Sequence, residues 1–364
     1  MRVTATLAGA GGEDDRPPLQ ATSHAAPAAA RPCDKSPMTS AEDSTGLVHA
    51  FVLDGKGGGE AVGWDGIERW RPDDGVLWIN LDYGGADAQQ WLGMRSGLDP
   101  VVRDALLERD PRPRALPVGD ALLLVVRAIN LNEGAQPEDM VSLRCWMEAR
   151  RIVTIRHRTV RAVKIVAGEV QRGKGPEDPA EFLARMVGHV LEPVVTLVDA
   201  IDDEVAALED DLLAGQVPEH RARIADLRRR AIGVRRFVGP QRDAITRLGT
   251  LTLSWLDENA RARLREAADR QTRTLEELDA ARERAAVTHE ELQSRLDEHA
   301  NRRLYILSLV TAVFLPLTFV TGLLGVNVGG VPAREVSWAF WALCAILFGG
   351  SGALLYLFRK WKWL

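Results

Sequence analysis

The sequence predicts an α+β membrane protein: a cytoplasmic α/β domain, a long helical stalk, and a stalk end continuous with the first of two C-terminal transmembrane helices. Tyr305–Leu324 and Ser337–Phe358 are apolar stretches without Asp, Glu, Lys, Arg or His, each long enough to cross a hydrocarbon core of about 30 Å. The chain before them is as charged as a soluble protein, and the whole carries 51 acidic and 46 basic residues, for a formal charge of −5 in 364 residues. Within that charged part, short β-rich runs give way after Pro179 to a helical period that hardly stops.

Residues 1–45 are rich in Ala, Gly, Pro and Ser and have no apolar run of signal-peptide length, so a disordered tail is expected. Met38 opens a second plausible start. Gly9–Gly12 has neither a preceding strand nor a phosphate-loop lysine and reads as linker. Cys33, Cys145 and Cys344 are too far apart for zinc-ligand spacing or a disulfide framework.

Residues 46–178 read as the α/β domain. Leu47–Leu53, Val76–Leu81, Ala121–Ile129, Val141–Met147 and Arg151–Arg156 have strand composition, and Asp87–Met94 and Pro100–Leu107 have helical spacing. Trp64, Trp70, Trp78, Trp91 and Trp146 are expected in core and rim packing. No nucleophile, base and orienting residue form a set, so the chain is not expected to be an enzyme.

Residues 179–303 read as a helical bundle and stalk. Pro179–Ala214 has Phe182, Met186, Val190, Val194, Leu197, Ile201, Val205 and Leu208 at steps of three and four, until Gly215 and Pro218 break it. Glu219–Leu248 follows, with Pro240 as an expected kink. A third helix starts near Leu256 and meets no Gly or Pro until Pro316. Asp199, Asp202, Asp203, Glu204, Glu209, Asp210 and Asp211 allow a regulatory divalent site or, more simply, a solvated face. His289 and His299 share a stalk seam with Leu292 and Leu296, which allows zinc contact or helix packing. Arg228, Arg229, Arg230, Arg235 and Arg236 lie beside acidic residues, so salt bridges rather than nucleic-acid binding are expected.

Residues 304–324 and 337–358 are the expected spans, with an extracytoplasmic loop at 325–336 and a basic tail at 359–364. Arg302 and Arg303 precede the first span and Arg359, Lys360 and Lys362 follow the second, while the loop holds Arg334 beside Glu335. Positive flanks stay inside, so both termini are expected in the cytoplasm of an inner-membrane protein. Trp338, Trp341, Trp361 and Trp363 fall at interface depths.

One line along the third helix stays small or polar well into the membrane: Glu290, Ser294, Asp297, Asn301, Leu304, Ser308, Thr311, Leu315, Thr318 and Gly322. Hydroxyls in a span are best tolerated facing protein or water, so the line fits a water-lined path ending at Gly325, Val326 and Asn327. Contact between small residues and hydroxyl back-bonding would also produce it. Leu304 and Leu315 would be apolar constrictions. Two helices cannot enclose a pore, so copies around one axis would turn each residue into a ring, with Asn327 offering weak oxygens to a hydrated divalent cation. Gly325 is expected to supply a turn that aims the amide.

Phe314-Leu315-Pro316-Leu317-Thr318-Phe319, Thr321-Gly322, Gly325-Val326-Asn327 and the tail Phe358-Arg359-Lys360-Trp361-Lys362-Trp363-Leu364 resemble the CorA-type divalent metal ion transporters. The resemblance runs from about Gly46 to the end of the chain. It implies a homopentamer with a funnel-shaped cytoplasmic domain, a pore lined by the first transmembrane helix, and the family's Gly-Met-Asn signature at Gly325, Val326 and Asn327. Val326 and the uncharged Val328-Gly329-Gly330-Val331-Pro332 look more like the ZntB-like zinc transporter branch. The resemblance thus favours Zn²⁺ as the transported ion, over Mg²⁺, Co²⁺ or Ni²⁺, with no permanent cofactor. Members of that branch are thought to couple to protons, for which Glu290, Asp297 or a histidine outside the spans would be the candidates.

Overall fold

A computed structural model describes residues 45–214, 220–325 and 336–361. The N-terminal tail, Val326, Asn327, the rest of the loop to Glu335 and the last three residues lie outside the described residues, as do Gly215 and Pro218.

Seven strands form one mixed sheet: β1 (Leu47–Leu53), β2 (Gly59–Ala61), β3 (Val76–Asp82), β4 (Arg114–Val118), β5 (Ala121–Ala128), β6 (Val141–Met147) and β7 (Arg151–Arg156). Their order is β2-β1-β3-β7-β6-β5-β4, and β3 pairs with β7 in parallel while the other neighbours are antiparallel. Short helices α1 (Trp64–Arg69), α2 (Ala86–Met94) and α3 (Pro100–Leu107) belong to the same body.

Side chains alternate across a strand, so the sheet has two apolar faces and buries both. Leu77, Ile79, Leu123, Trp146, Val153 and Ile155 pack with Trp91 and Leu92 of α2 and Val102 and Leu106 of α3. Trp78, Leu122, Leu124, Leu143, Cys145 and Met147 face the other way. That second face is covered by α4 (Arg161–Gln171) and by parts of α5 (Pro179–Leu213), α6 (His220–Leu248) and α7 (Glu258–Leu324). Trp78, Trp91 and Trp146 are core residues, and Trp64 and Trp70 pack at the rim, as the sequence led one to expect.

Beyond the sheet, α5, α6 and α7 make a core of their own from Val194, Ile201, Leu208, Leu227, Val234 and Leu278, among others. Their starts are specified locally. Pro179 occupies the first turn of α5, where its missing N–H is no loss, and Asp178 accepts the Glu181 N–H at 2.7 Å. Asp257 likewise accepts the Ala260 N–H at 2.8 Å at the start of α7. Helix α6 runs through Pro240 and α5 through Pro193. Helix α7 continues for 67 residues without a break, from the sheet body through the first apolar stretch, and α8 (Ala339–Lys360) forms the second.

Candidate ion pathway

Helix α7 changes character along its length. Residues from Ala260 through Leu264, Leu278 and Ala285 to Leu292 recur at helical spacing and are buried, while no described residue after Leu292 on this helix is. All ten residues of the polar line, Glu290 to Gly322, are exposed. At its charged end Glu290, Ser294, Asp297 and Asn301 line one open concavity of about 660 Å³, joined by Gln293 and Glu298. Neither belongs to the line itself: Gln293 directly precedes Ser294 and Glu298 directly follows Asp297. Leu304 is 61% and Leu315 67% exposed, and no residue in the apolar window of either α7 or α8 is buried.

Ser308, Thr311 and Thr318 continue the line between the leucines. The Thr311 hydroxyl donates to the Leu307 carbonyl at 2.8 Å and that of Thr318 to the Phe314 carbonyl at 2.9 Å. Back-bonding is therefore realised, and it uses only the hydroxyl proton. Each oxygen keeps acceptor capacity, which water around a cation can use.

Gly325 differs from expectation. It caps α7 at φ −83° and ψ −5°, in the right-handed region open to any residue, so it supplies no special turn. A Cβ there would lie 3.1 Å from the Thr321 carbonyl oxygen, a tight contact that a small shift would relieve. Pro316 sits inside a helix that continues on both sides, leaving the Ala312 carbonyl without its usual donor.

Most of the other charged groups singled out in the sequence are paired. Arg284 of α7 reaches both Asp202 and Glu209 of α5, Arg230 meets Glu204 at 2.9 Å, and Arg223 lies 3.9 Å from Asp211. Arg229 bonds Asp226 at 3.0 Å, Arg235 bonds Asp279, and Arg236 lies 3.6 Å from Asp110. Asp202, Glu204, Glu209 and Asp211 of α5 are thus held in ion pairs, and among the described residues no three His, Cys, Asp or Glu gather as a metal site. His289 Nε2 faces the Gln293 amide at 3.3 Å, while His299 is exposed.

A charged α/β body joined by one unbroken helix to an uncovered apolar helix pair is the build of a two-span membrane protein. The CorA-like Mg2+ transporter protein family matches residues 73–360. The divalent cation transporter CmaX of Pseudomonas aeruginosa is 39% identical over 326 residues, which cover 88% of this chain and 98% of that protein. The zinc transport protein ZntB of Yersinia enterocolitica is 35% identical over 317 residues, covering 87% and 96%. The structure of full-length CmaX superposes with a TM-score of 0.77 at 38% identity, over 89% of this chain and all of that one. The chain belongs to the CorA-like family of divalent cation transporters.

Proposed function

We propose that this protein carries Zn²⁺ across the inner membrane through a central pore made by a homopentamer, with both termini in the cytoplasm. The observation that supports the reading is the line from Glu290 to Gly322, small or polar apart from Leu304 and Leu315, which one unbroken helix carries from the stalk through the first apolar stretch and which is exposed along its whole length. Five copies with α7 innermost turn the line into stacked rings. Leu304 and Leu315 are then constrictions that gate by dewetting, and Ser308, Thr311 and Thr318 offer oxygens between them.

A ring of Asn327 at the outer mouth, with Gly325 and Val326 beside it, grips the water shell of a divalent ion weakly enough to release it. Below the membrane, Glu290, Asp297 and their neighbours around the concavity hold cations at the cytoplasmic end. An inside-negative potential of 100 mV favours entry of a divalent ion by about 4.6 kcal/mol, twice the unit-charge value.

Zinc is favoured by the relatives named as zinc transport proteins and by the uncharged loop after Asn327. A second reading, Mg²⁺ or Co²⁺ transport, rests on the matched family's description. Metal flux into vesicles holding the purified protein separates them: Zn²⁺ should enter faster than Mg²⁺ or Co²⁺, and Asn327→Ala should lose flux or selectivity. Flux that is absent, or unchanged by Asn327→Ala, would instead fit a membrane-anchored scaffold.

A further inference from the structure

A second cavity, of about 740 Å³, lies away from the polar line of α7, between one end of the β5–β6 sheet face and α6. Its size is within the range of roughly 300–1,000 Å³ usual for small-molecule sites. Six arginines and four carboxylates line it, an excess of positive charge before His157 is counted.

The pairing within the cavity shows which charges are already used. Asp110 is shared by Arg127 and Arg236, Asp226 holds Arg229, and Arg230 turns to Glu204. Arg109 and Arg158 make no ion pair among the described residues and are exposed, and the lining carboxylates Glu138 and Asp139 are likewise without an ion pair there. Their side of the cavity is also electropositive from behind. Strand register places Arg144 on the same sheet face as Arg127 and Ser142, which line the cavity. Arg144 is wholly buried, donates to the Glu108 carbonyl, and has no acceptor for its Nε or Nη1. Burial, with Arg127 nearby, lowers its pKa to about 10, so it remains a cation at neutral pH. His157 feels the same surroundings: burial and the charges of Arg144 and Arg109 hold it below the usual histidine range, against an opposing effect of Asp82.

The opposite side has different chemistry. Glu138 Oε2 is buried and has no donor, and Glu138 stands across from Gly233, where a Cβ would come within 3.8 Å of its own. A carboxylate there repels phosphate but accepts from hydroxyl or amino groups. Met140 and Phe237 add apolar wall, with the Arg127 guanidinium 4.4 Å from the centroid of the Phe237 ring. A ligand that satisfies the whole cavity needs a multivalent anionic end, a group rich in N–H or O–H donors, and a flat apolar part.

We propose that this cavity binds a nucleoside polyphosphate, with Arg109 and Arg158 on its phosphates and Glu138 on its hydroxyl or amino groups. The occupant lies against α6, which grips the stalk through the Arg235–Asp279 pair. Binding itself does not depend on the transport reading.

Titration calorimetry on the full-length protein in lipid nanodiscs, with chelator present to keep divalent ions out, tests the proposal with ATP, AMP and pyrophosphate. ATP should bind saturably and more tightly than either half. The Arg109→Ala/Arg158→Ala double variant should weaken ATP and pyrophosphate at least tenfold. Glu138→Ala should weaken ATP and AMP but not pyrophosphate, and Arg242→Ala, on α6 outside the cavity, should change nothing. No saturable ATP binding, equal binding by the double variant, or an equal loss in Arg242→Ala would overturn the site. Pyrophosphate binding as tightly as ATP would overturn the nucleoside assignment.

Discussion

The Gln241 side chain accepts the backbone N–H of Arg127 at 2.6 Å, a fully buried bond that ties α6 to β5. The β4–β5 ladder ends at Arg114 and Val125, so the Arg127 N–H lies past its last partner on that edge. Gln241 supplies the acceptor that the short strand does not. Gln241→Leu should therefore destabilise the protein by about 1–3 kcal/mol, the usual effect of orphaning a buried donor. Gln271 on α7 is the contrast: it is equally buried, but neither its Oε1 nor its Nε2 has a partner. Gln271→Leu should leave the melting temperature unchanged or raise it. A matching loss in both variants would refute the distinction.

Acid should weaken the fold through His49. Burial, then the Arg156 charge, lowers its pKa to about 4, and its ring packs edge-on to Trp78 at 4.7 Å with Nε2 buried and unpartnered. The folded state keeps His49 neutral, while the unfolded chain takes a proton near pH 6.5. Its share of stability is complete above that value and is lost as pH falls toward 4, on the order of 2–3 kcal/mol from the size of the shift. His49→Phe should flatten the stability profile across this window. Measuring melting temperature from pH 7 to 4 in both proteins decides it.

If the leucine rings are the gate, making either one polar should open it. Leu304→Ser and Leu315→Ser are expected to raise resting divalent flux several-fold, because a wetted constriction no longer excludes ions. Both side chains are exposed in the single chain, so loss of internal packing is small. Vesicle flux without an imposed potential is the measurement, and unchanged flux in both variants would remove the leucines from the pathway.

Arg284 joins two helices through Asp202 and Glu209, all three being partly exposed. Arg284→Ala should destabilise by roughly 0.5–1 kcal/mol at low salt, as expected for a solvent-screened network. The difference from the parent protein should shrink in 1 M salt. A salt-independent loss would mean that the aliphatic stem of Arg284, rather than its charge, matters.

What could be read from the sequence followed the strength of the periodic signal. Leu47–Leu53, Val141–Met147 and Arg151–Arg156 match β1, β6 and β7 end to end because their side chains alternate between two buried faces. Strands β2 and β4 escaped notice. They are short edge strands, mostly unburied, and β4 contains Pro117, which a central ladder would not accept. Helix α4 was also missed, since its β-branched Val163, Val166 and Val170 favour strand as a local choice. The polar line of α7 was legible because one helix carries all of it. The arginine cavity was not: Arg109, Arg127, Arg158 and Arg236 come from four separate segments, and only the fold brings them together.

The unbroken course of α7 has a mechanical consequence. At 1.5 Å per residue, 67 residues make a rod about 100 Å long. Tilting such a rod by about three degrees at Glu258 carries its far end roughly 5 Å sideways, more than a water diameter. Pro316 lies close to that far end, so nearly the whole length works as a lever whose soft joint is beyond the load. Helices α5 and α6 pack on its first half as far as Leu292, so the three would tilt together, and a small tilt of that bundle would be multiplied on its way to the membrane.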